Sequence, residues 1–254
     1  MDAKDHAKGK YCYEEDREED GQKGNPGYIA ATEAAAAYML KTSKEKMTPE
    51  YILNIFHITG CNVSGEGELI STKDSRLNFE GTSYLPVIKK YTTKEGLQEM
   101  FEFKEYKFTS YYYEHRKPIY LEKQNIDEFL KKDNTLIIEA FKSDRTEKTV
   151  ELIINNLNKD LKKAKKQKKK KEDNIIIAIS RFARKLDILH PFNDGNIRTM
   201  RLLIQKLLID NGLSPTYMED PNIMDGYSSE QVAKEIKLGM EKYKELQEQK
   251  MDEQ

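Results

Sequence analysis

Two cysteines, no excess charge of either sign and no long apolar run set the first limits on this 254-residue chain. Cys12 and Cys61 make no metal-ligating set and at most one bridge, which excludes a disulfide scaffold. No apolar stretch approaches the roughly 18 residues that a spanning helix needs. The first twenty residues, MDAKDHAKGKYCYEEDREED, are polar and acidic where a secretory signal is apolar. Lys and Arg number 43 against 44 Asp and Glu, a formal net charge of −1, so no global field draws nucleic acid to the molecule and none is expected as a partner. Internal repeats are absent. These absences point to the cytoplasm, or to a host cytosol reached by a route that needs no N-terminal signal.

What remains is a chain with 37% hydrophobic and 34% charged residues, enough for a core under a heavily charged surface, in one large domain or two small ones. Residues 1–27 read as a loose arm that Tyr11 and Tyr13 can tack down. Ile29 to Leu40 is alanine-rich and helix-forming. Thr48-Pro49-Glu50 reads as an N-cap with proline at the first helical position, opening a helix that closes near Gly60. From Cys61 to about Lys90 short β-prone runs around glycines predict a hairpin. KEGLQEMFEF reads as helix, and the aromatic stretch 105–121 as an irregular or β insertion, its tyrosines either packing or forming a partner face. Val150, Ile153, Ile154, Leu157 and Leu161 form one stripe of a helix from about Thr149 to Lys163 that continues into KAKKQKKKK. Eight of the ten residues Lys162 to Lys171 are lysine, read as a solvated helix end or as a contact for an anionic surface.

One segment carries chemistry. Ile175, Ile179, Phe182, Leu186 and Leu189 mark one face of a buried helix, with Asp173 or Asn174 as its cap; Met200, Leu203, Ile204, Leu207 and Leu208 mark a second, which stops at Asn211-Gly212. Between them lies HPFNDGN, a polar, glycine-bearing loop wedged between apolar helices. It leads into a helix N-terminus, whose N–H groups and dipole suit phosphate. Arg198 and Arg201, three apart and off the apolar stripe, add two guanidiniums. Asp194 can hold Mg²⁺, which favours one or two carboxylates plus phosphate oxygens. His190 supplies a base near neutral pKa. Singly, these are a loop histidine, an Asp-Gly turn and two solvated arginines. Together they imply phosphate-ester or phosphoanhydride chemistry. No GxxxxGK[ST] loop exists, and His190 lacks a second ligand at zinc spacing.

His190-Pro191-Phe192-Asn193-Asp194-Gly195-Asn196-Ile197-Arg198-Thr199-Met200-Arg201 resembles the signature of the Fic family, HxFx(D/E)GN(G/K)RxxR, at every defined position but one. The direct match covers roughly 174–215, and a weaker one covers 48–60. The resemblance implies a mainly α fold: a Fic-type helical bundle over 28–245 with a small β-hairpin flap at about 65–90 and an irregular or β insertion at about 105–145. It also implies a catalytic helix–loop–helix over 174–213, ahead of a polar tail over 246–254. It further implies Mg²⁺-dependent transfer of AMP from ATP to a Ser, Thr or Tyr hydroxyl of a target protein. His190 would be the base, Asp194 the metal ligand, Gly195 and Asn196 the anion hole, Arg198 and Arg201 the phosphate-tail clamp, and Phe192 the loop's anchor. The target would dock on the flap as an added strand, with Arg76, Ser83, Tyr84 and Leu85 facing it.

The departure is Ile197, where glycine or lysine is usual. Its β-branched side chain either packs inward, leaving the anion hole open, or crowds the phosphates and changes the donor. UMP, phosphocholine and kinase-type transfer are the alternatives inside the family; a partner-binding protein without activity is the alternative outside catalysis. The family's inhibitory motif (S/T)xxxE(G/N) has no match, since Ser75 to Glu80-Gly81 is one residue too long. Constitutive activity, or control by another protein, is expected, as is a role as effector or toxin.

Overall fold

The computed structural model describes residues 26–61, 85–139, 145–192 and 195–252. Nine α-helices and a four-stranded antiparallel sheet lie within them. This is the mainly α architecture with a small β element that the motif implied. Arg76, Ser83, Tyr84, Asn193, Asp194, Tyr11, Tyr13 and Cys12 lie outside the described residues.

Helix α1 (Pro26–Lys41) buries Ala31, Ala35 and Ala36, small side chains that allow close approach, together with Met39. Helix α2 (Pro49–Phe56) starts as its sequence predicts: the Thr48 hydroxyl accepts from the Tyr51 N–H at 3.1 Å. It ends in a π turn, His57–Cys61, where the Thr59 hydroxyl donates to the Ile55 carbonyl at 2.9 Å.

The chain then enters strand β1 (Leu85–Val87) and helix α3 (Lys94–Met100). Next come strands β2 (Thr109–Glu114) and β3 (Lys117–Tyr120), the short helix α4 (Ile126–Phe129) and strand β4 (Leu136–Glu139). The aromatic insertion is thus a β hairpin. His115 and Arg116 both have positive φ, 50° and 66°, which gives a two-residue turn of the mirror type that matches strand twist. The strand order is β1-β4-β2-β3. Leu85, expected on the flap, is a buried residue of β1 and pairs with Ile138 of β4. The end of the flap region therefore shares one sheet with the insertion. The tyrosines divide: Tyr112 packs on Phe129 with ring centroids 5.1 Å apart, whereas Tyr113 and Tyr120 are exposed.

Helices α5 (Thr146–Lys166) and α6 (Lys171–Leu189) form the bundle's central hairpin. The lysine run does not extend α5 to its end as expected. The helix stops at Lys166, and Gln167 is extended; continuation would stack Lys162, Lys166 and Lys170 at the spacing where like charges repel. Neither Asp173 nor Asn174 caps α6, which starts earlier from Lys170 in the left-handed conformation. Glu172 and Asp173 instead lie in the first turn, where acids complement the helix dipole. Helices α7 (Asn196–Asp210), α8 (Ile223–Gly226) and α9 (Ser229–Asp252) complete the order. Helix α6 is the hub, packed by α5, α7, α8 and α9. All five residues of each apolar stripe read from the sequence are buried.

Candidate active site

The α6–α7 loop is held in shape from both ends. At its start His190 is the C-cap of α6. Its N–H donates to the carbonyls of Leu186 and Asp187 at 3.1 and 2.9 Å, and its φ is +48°, a left-handed conformation that side chains other than glycine adopt at a cost. That reversal ends α6, leaves His190 half-buried and turns Pro191 and Phe192 into the interior. Phe192 is fully buried and stacks on Phe56, centroids 3.6 Å apart and planes within 6°. The last residue of α2 therefore clamps the loop at Phe192.

At the other end Asn196 closes the loop. Its Oδ1 accepts from the Phe192 N–H at 3.1 Å and its Nδ2 donates to the Phe192 carbonyl at 2.7 Å. One of the two Nδ2 hydrogens is spent in this latch, which leaves the second, together with the backbone N–H, to offer an anion. Gly195 precedes it at φ +77°, where a side chain would be strained, and brings no capping group to the helix start. Ile197 is half-buried and packs against the core, the inward of its two expected placements. Arg198 is half-buried and Arg201 only 6% exposed, although it lies off the apolar stripe. Thr199, between them, is fully buried with its hydroxyl 3.4 Å from that of Thr59, which ties α7 to the turn after α2.

A buried polar stripe runs behind His190. Ser180, Arg184 and Asp187, spaced four and three apart, are each fully buried on α6. Arg184 Nη1 pairs with Glu99 Oε2 at 2.8 Å, Nη2 donates to the Gly96 carbonyl at 3.2 Å, and Nε donates to the Met224 carbonyl at 3.3 Å. Glu99 in turn accepts from the Ser229 N–H and hydroxyl at the start of α9. One guanidinium thus joins α6, α3 and α8, with α9 reached through the carboxylate.

Among the described residues no N–H or hydroxyl donor reaches either Asp187 carboxyl oxygen. Its hydrogen-bond partner is the carboxyl of Asp225 on α8, and two carboxyls bond only when one holds a proton. Burial raises both above the ordinary carboxylate range, Asp225 well above it, with Asp187's charge adding to the effect. Asp187 also feels His190, whose protonated form favours its ionised state. Arg184, Asp187 and Asp225 escaped sequence reasoning. The 180/184/187 spacing of polar residues on an otherwise apolar helix was the signal.

Among the described residues no three His, Cys, Asp or Glu side chains gather as a metal cage. A Mg²⁺ ion would need no such cage, only Asp194, which lies outside the described residues, and donor phosphate oxygens; a half-buried and a buried arginine on the first turns of α7 are a cation set suited to phosphate.

The fold and loop define a mainly α domain whose polar, side-chain-latched turn sits between two core helices. The model of the Fic/DOC family matches residues 46–208, α2 through most of α7, and the chain belongs to the Fic/DOC family. Members of that family are transferases. Over 89 residues the chain is 34% identical to the phosphocholine transferase AnkX of Legionella pneumophila. The match takes in 35% of this chain and 9% of that protein. Among the described residues no helix is long and apolar enough to cross a membrane.

Proposed function

We propose that this protein transfers AMP from ATP to a Ser, Thr or Tyr hydroxyl of a target protein. The observation that carries this reading is the latched loop: the twelve residues from His190 to Arg201 keep the family signature at every defined position but Ile197, and Asn196 and the Phe56–Phe192 stack hold the turn that presents it. His190 takes the proton of the attacking hydroxyl, and the Asp187–Asp225 pair supports the imidazolium so formed. The hydroxyl oxygen bonds to the α-phosphorus, the bond from that phosphorus to the bridging oxygen breaks, and pyrophosphate leaves. Arg198, Arg201 and the backbone N–H groups at the start of α7 hold the phosphates and meet the charge that builds there. Mg²⁺ at Asp194 would neutralise charge on the donor's phosphate oxygens. The target segment would add to the flap as a strand.

A second reading is transfer of phosphocholine from a CDP-choline-type donor, favoured by the relative that carries out phosphocholine transfer. There the same hydroxyl attacks the phosphorus bearing choline, and a nucleoside monophosphate leaves. The inward packing of Ile197 weighs against an inactive binding protein.

Intact-mass spectrometry after incubation with Mg²⁺ and ATP, GTP, UTP, CTP or CDP-choline tests the donor, with His190→Ala alongside. A mass gain equal to AMP, in wild type only, is expected. A phosphocholine gain selects the second reading. A gain that persists in His190→Ala overturns the role given to the histidine.

A further inference from the structure

Eight lysines at Lys162–Lys171 leave nine net negative charges on the rest of the chain, since the whole carries −1. The structure gathers these lysines at one end of the bundle, on the last turns of α5, the connection 167–170 and the first residue of α6. Each is exposed. Among the described residues none has a carboxylate within ion-pair distance. Helix α9 adds Lys237 and Lys244 beside Lys170 and Lys171. The acids of that groove are Glu172, Asp173 and Glu241, and Asp173 is engaged by Lys237. A chain that is charge-balanced overall thus carries a dense positive patch at one end of the bundle.

Helix α6 fixes where that patch lies relative to the active-site loop. Its N-terminus lies in the lysine cluster and its C-terminus delivers His190. Nineteen residues at 1.5 Å each separate the two by about 28 Å. A planar anionic body against the lysine end leaves the α6–α7 loop pointing away from it.

We propose that the α5–α6 end is a docking face for an anionic phospholipid bilayer, orienting the active-site loop outward toward membrane-associated targets. The composition favours a bilayer over nucleic acid. Residues 159–174 contain no arginine for bidentate base or phosphate recognition and no aromatic side chain for base stacking. What they offer is undirected positive charge, which suits a diffuse layer of headgroups. No large exposed apolar side chain lies in the cluster, so the contact is reversible and salt-sensitive rather than inserted. The inference does not depend on which group is transferred.

The test is sedimentation of the full chain with vesicles, either pure phosphatidylcholine or phosphatidylcholine with about a third phosphatidylserine, at about 0.1 M salt. The protein is expected to partition onto the anionic vesicles alone and to be released as the salt is raised several-fold. Replacing Lys163, Lys166, Lys168 and Lys169 together by Gln is expected to lower the partition coefficient at least tenfold, since each lysine near such a surface contributes about fivefold. The four positions are exposed, so the melting temperature is expected to stay unchanged. Equal binding to both vesicles, no binding to the anionic ones, or an unaltered partition in the Gln variant overturns the proposal. Tighter binding to a DNA or RNA duplex than to anionic vesicles at the same salt also overturns it, in favour of a nucleic-acid contact. Label transfer by the Gln variant to a soluble target reads the catalytic proposal separately.

Discussion

Asn196 and Phe192 bind each other through two hydrogen bonds, with the amide side chain of one satisfying both backbone groups of the other at 3.1 and 2.7 Å. The bonds are buried, and they set the width of the loop between His190 and the start of α7. Asn196→Ala removes both and leaves the Phe192 N–H and carbonyl unsatisfied, at a cost of about 1–3 kcal/mol. The melting temperature is expected to fall by several degrees. Transfer activity, measured well below that temperature, is expected to fall by more than tenfold, because the loop no longer holds its turn. A variant that melts earlier but transfers normally would confine the latch to stability.

A second close fit carries a sign that helix propensity alone gets wrong. Gly96 lies inside α3, where alanine is ordinarily preferred by about 1 kcal/mol. A Cβ there would stand 1.9 Å from the Gly226 carbonyl oxygen, which accepts from the Thr93 N–H at 3.1 Å. The obstacle is backbone and cannot swing aside, and the Gly96 carbonyl is also an acceptor of Arg184. Gly96→Ala is therefore expected to destabilise by several kcal/mol or to prevent folding. Thermal unfolding reads it, and an unchanged or higher melting temperature would mean that α3 and α8 are not in backbone contact.

Helical periods made α5, α6 and α7 legible in the sequence because these helices bury stripes of Ile, Leu and Phe. The loop between α6 and α7 was legible because its residue types recur at fixed spacing in a known signature. What stayed hidden depends on distant partners. β4 pairs with β1, which lies far upstream in the chain, and with β2, and no local signal in Leu136–Glu139 names either neighbour. Arg184 and Asp187 look like solvated charges until α3 and α8 close over them with Glu99 and Asp225. Likewise Arg201 lies off the apolar stripe and is still buried, because α7 is enclosed almost all round.

The carboxyl pair gives a pH signature with a definite sign. Asp225 faces Asp187, Asp220 and Arg184, and its folded pKa lies well above the ordinary carboxylate value, first through burial and then through Asp187. Between the unfolded value and the raised folded one the native state binds more protons than the unfolded state. The pair's contribution to stability is therefore present at low pH and lost as pH rises through that window. Asp225→Asn keeps a hydrogen-bond donor toward Asp187 and removes the ionisation. Its melting temperature relative to wild type is expected to increase as pH rises from about 4 to about 8. A constant difference across that range would mean that the two carboxyls do not share a proton.

Ile197 stands where the family signature has glycine or lysine, and its position separates two accounts of the donor. Its side chain is half-buried and packs against the core, so it adds burial to α7. Ile197→Gly removes that burial and puts glycine into the first turn of a helix, for a combined cost of about 2–3 kcal/mol. The melting temperature is expected to drop by several degrees, while the preferred donor in the mass-spectrometric panel stays the same. A switch of donor, or a gain of ATP-dependent labelling that wild type lacks, would show that the isoleucine reaches the phosphates after all. It would then be the residue that sets this protein apart from relatives carrying glycine. Paired with Arg201→Ala, which is expected to weaken triphosphate binding at least tenfold by calorimetry, the comparison distinguishes loss of the phosphate clamp from a change in what the clamp admits.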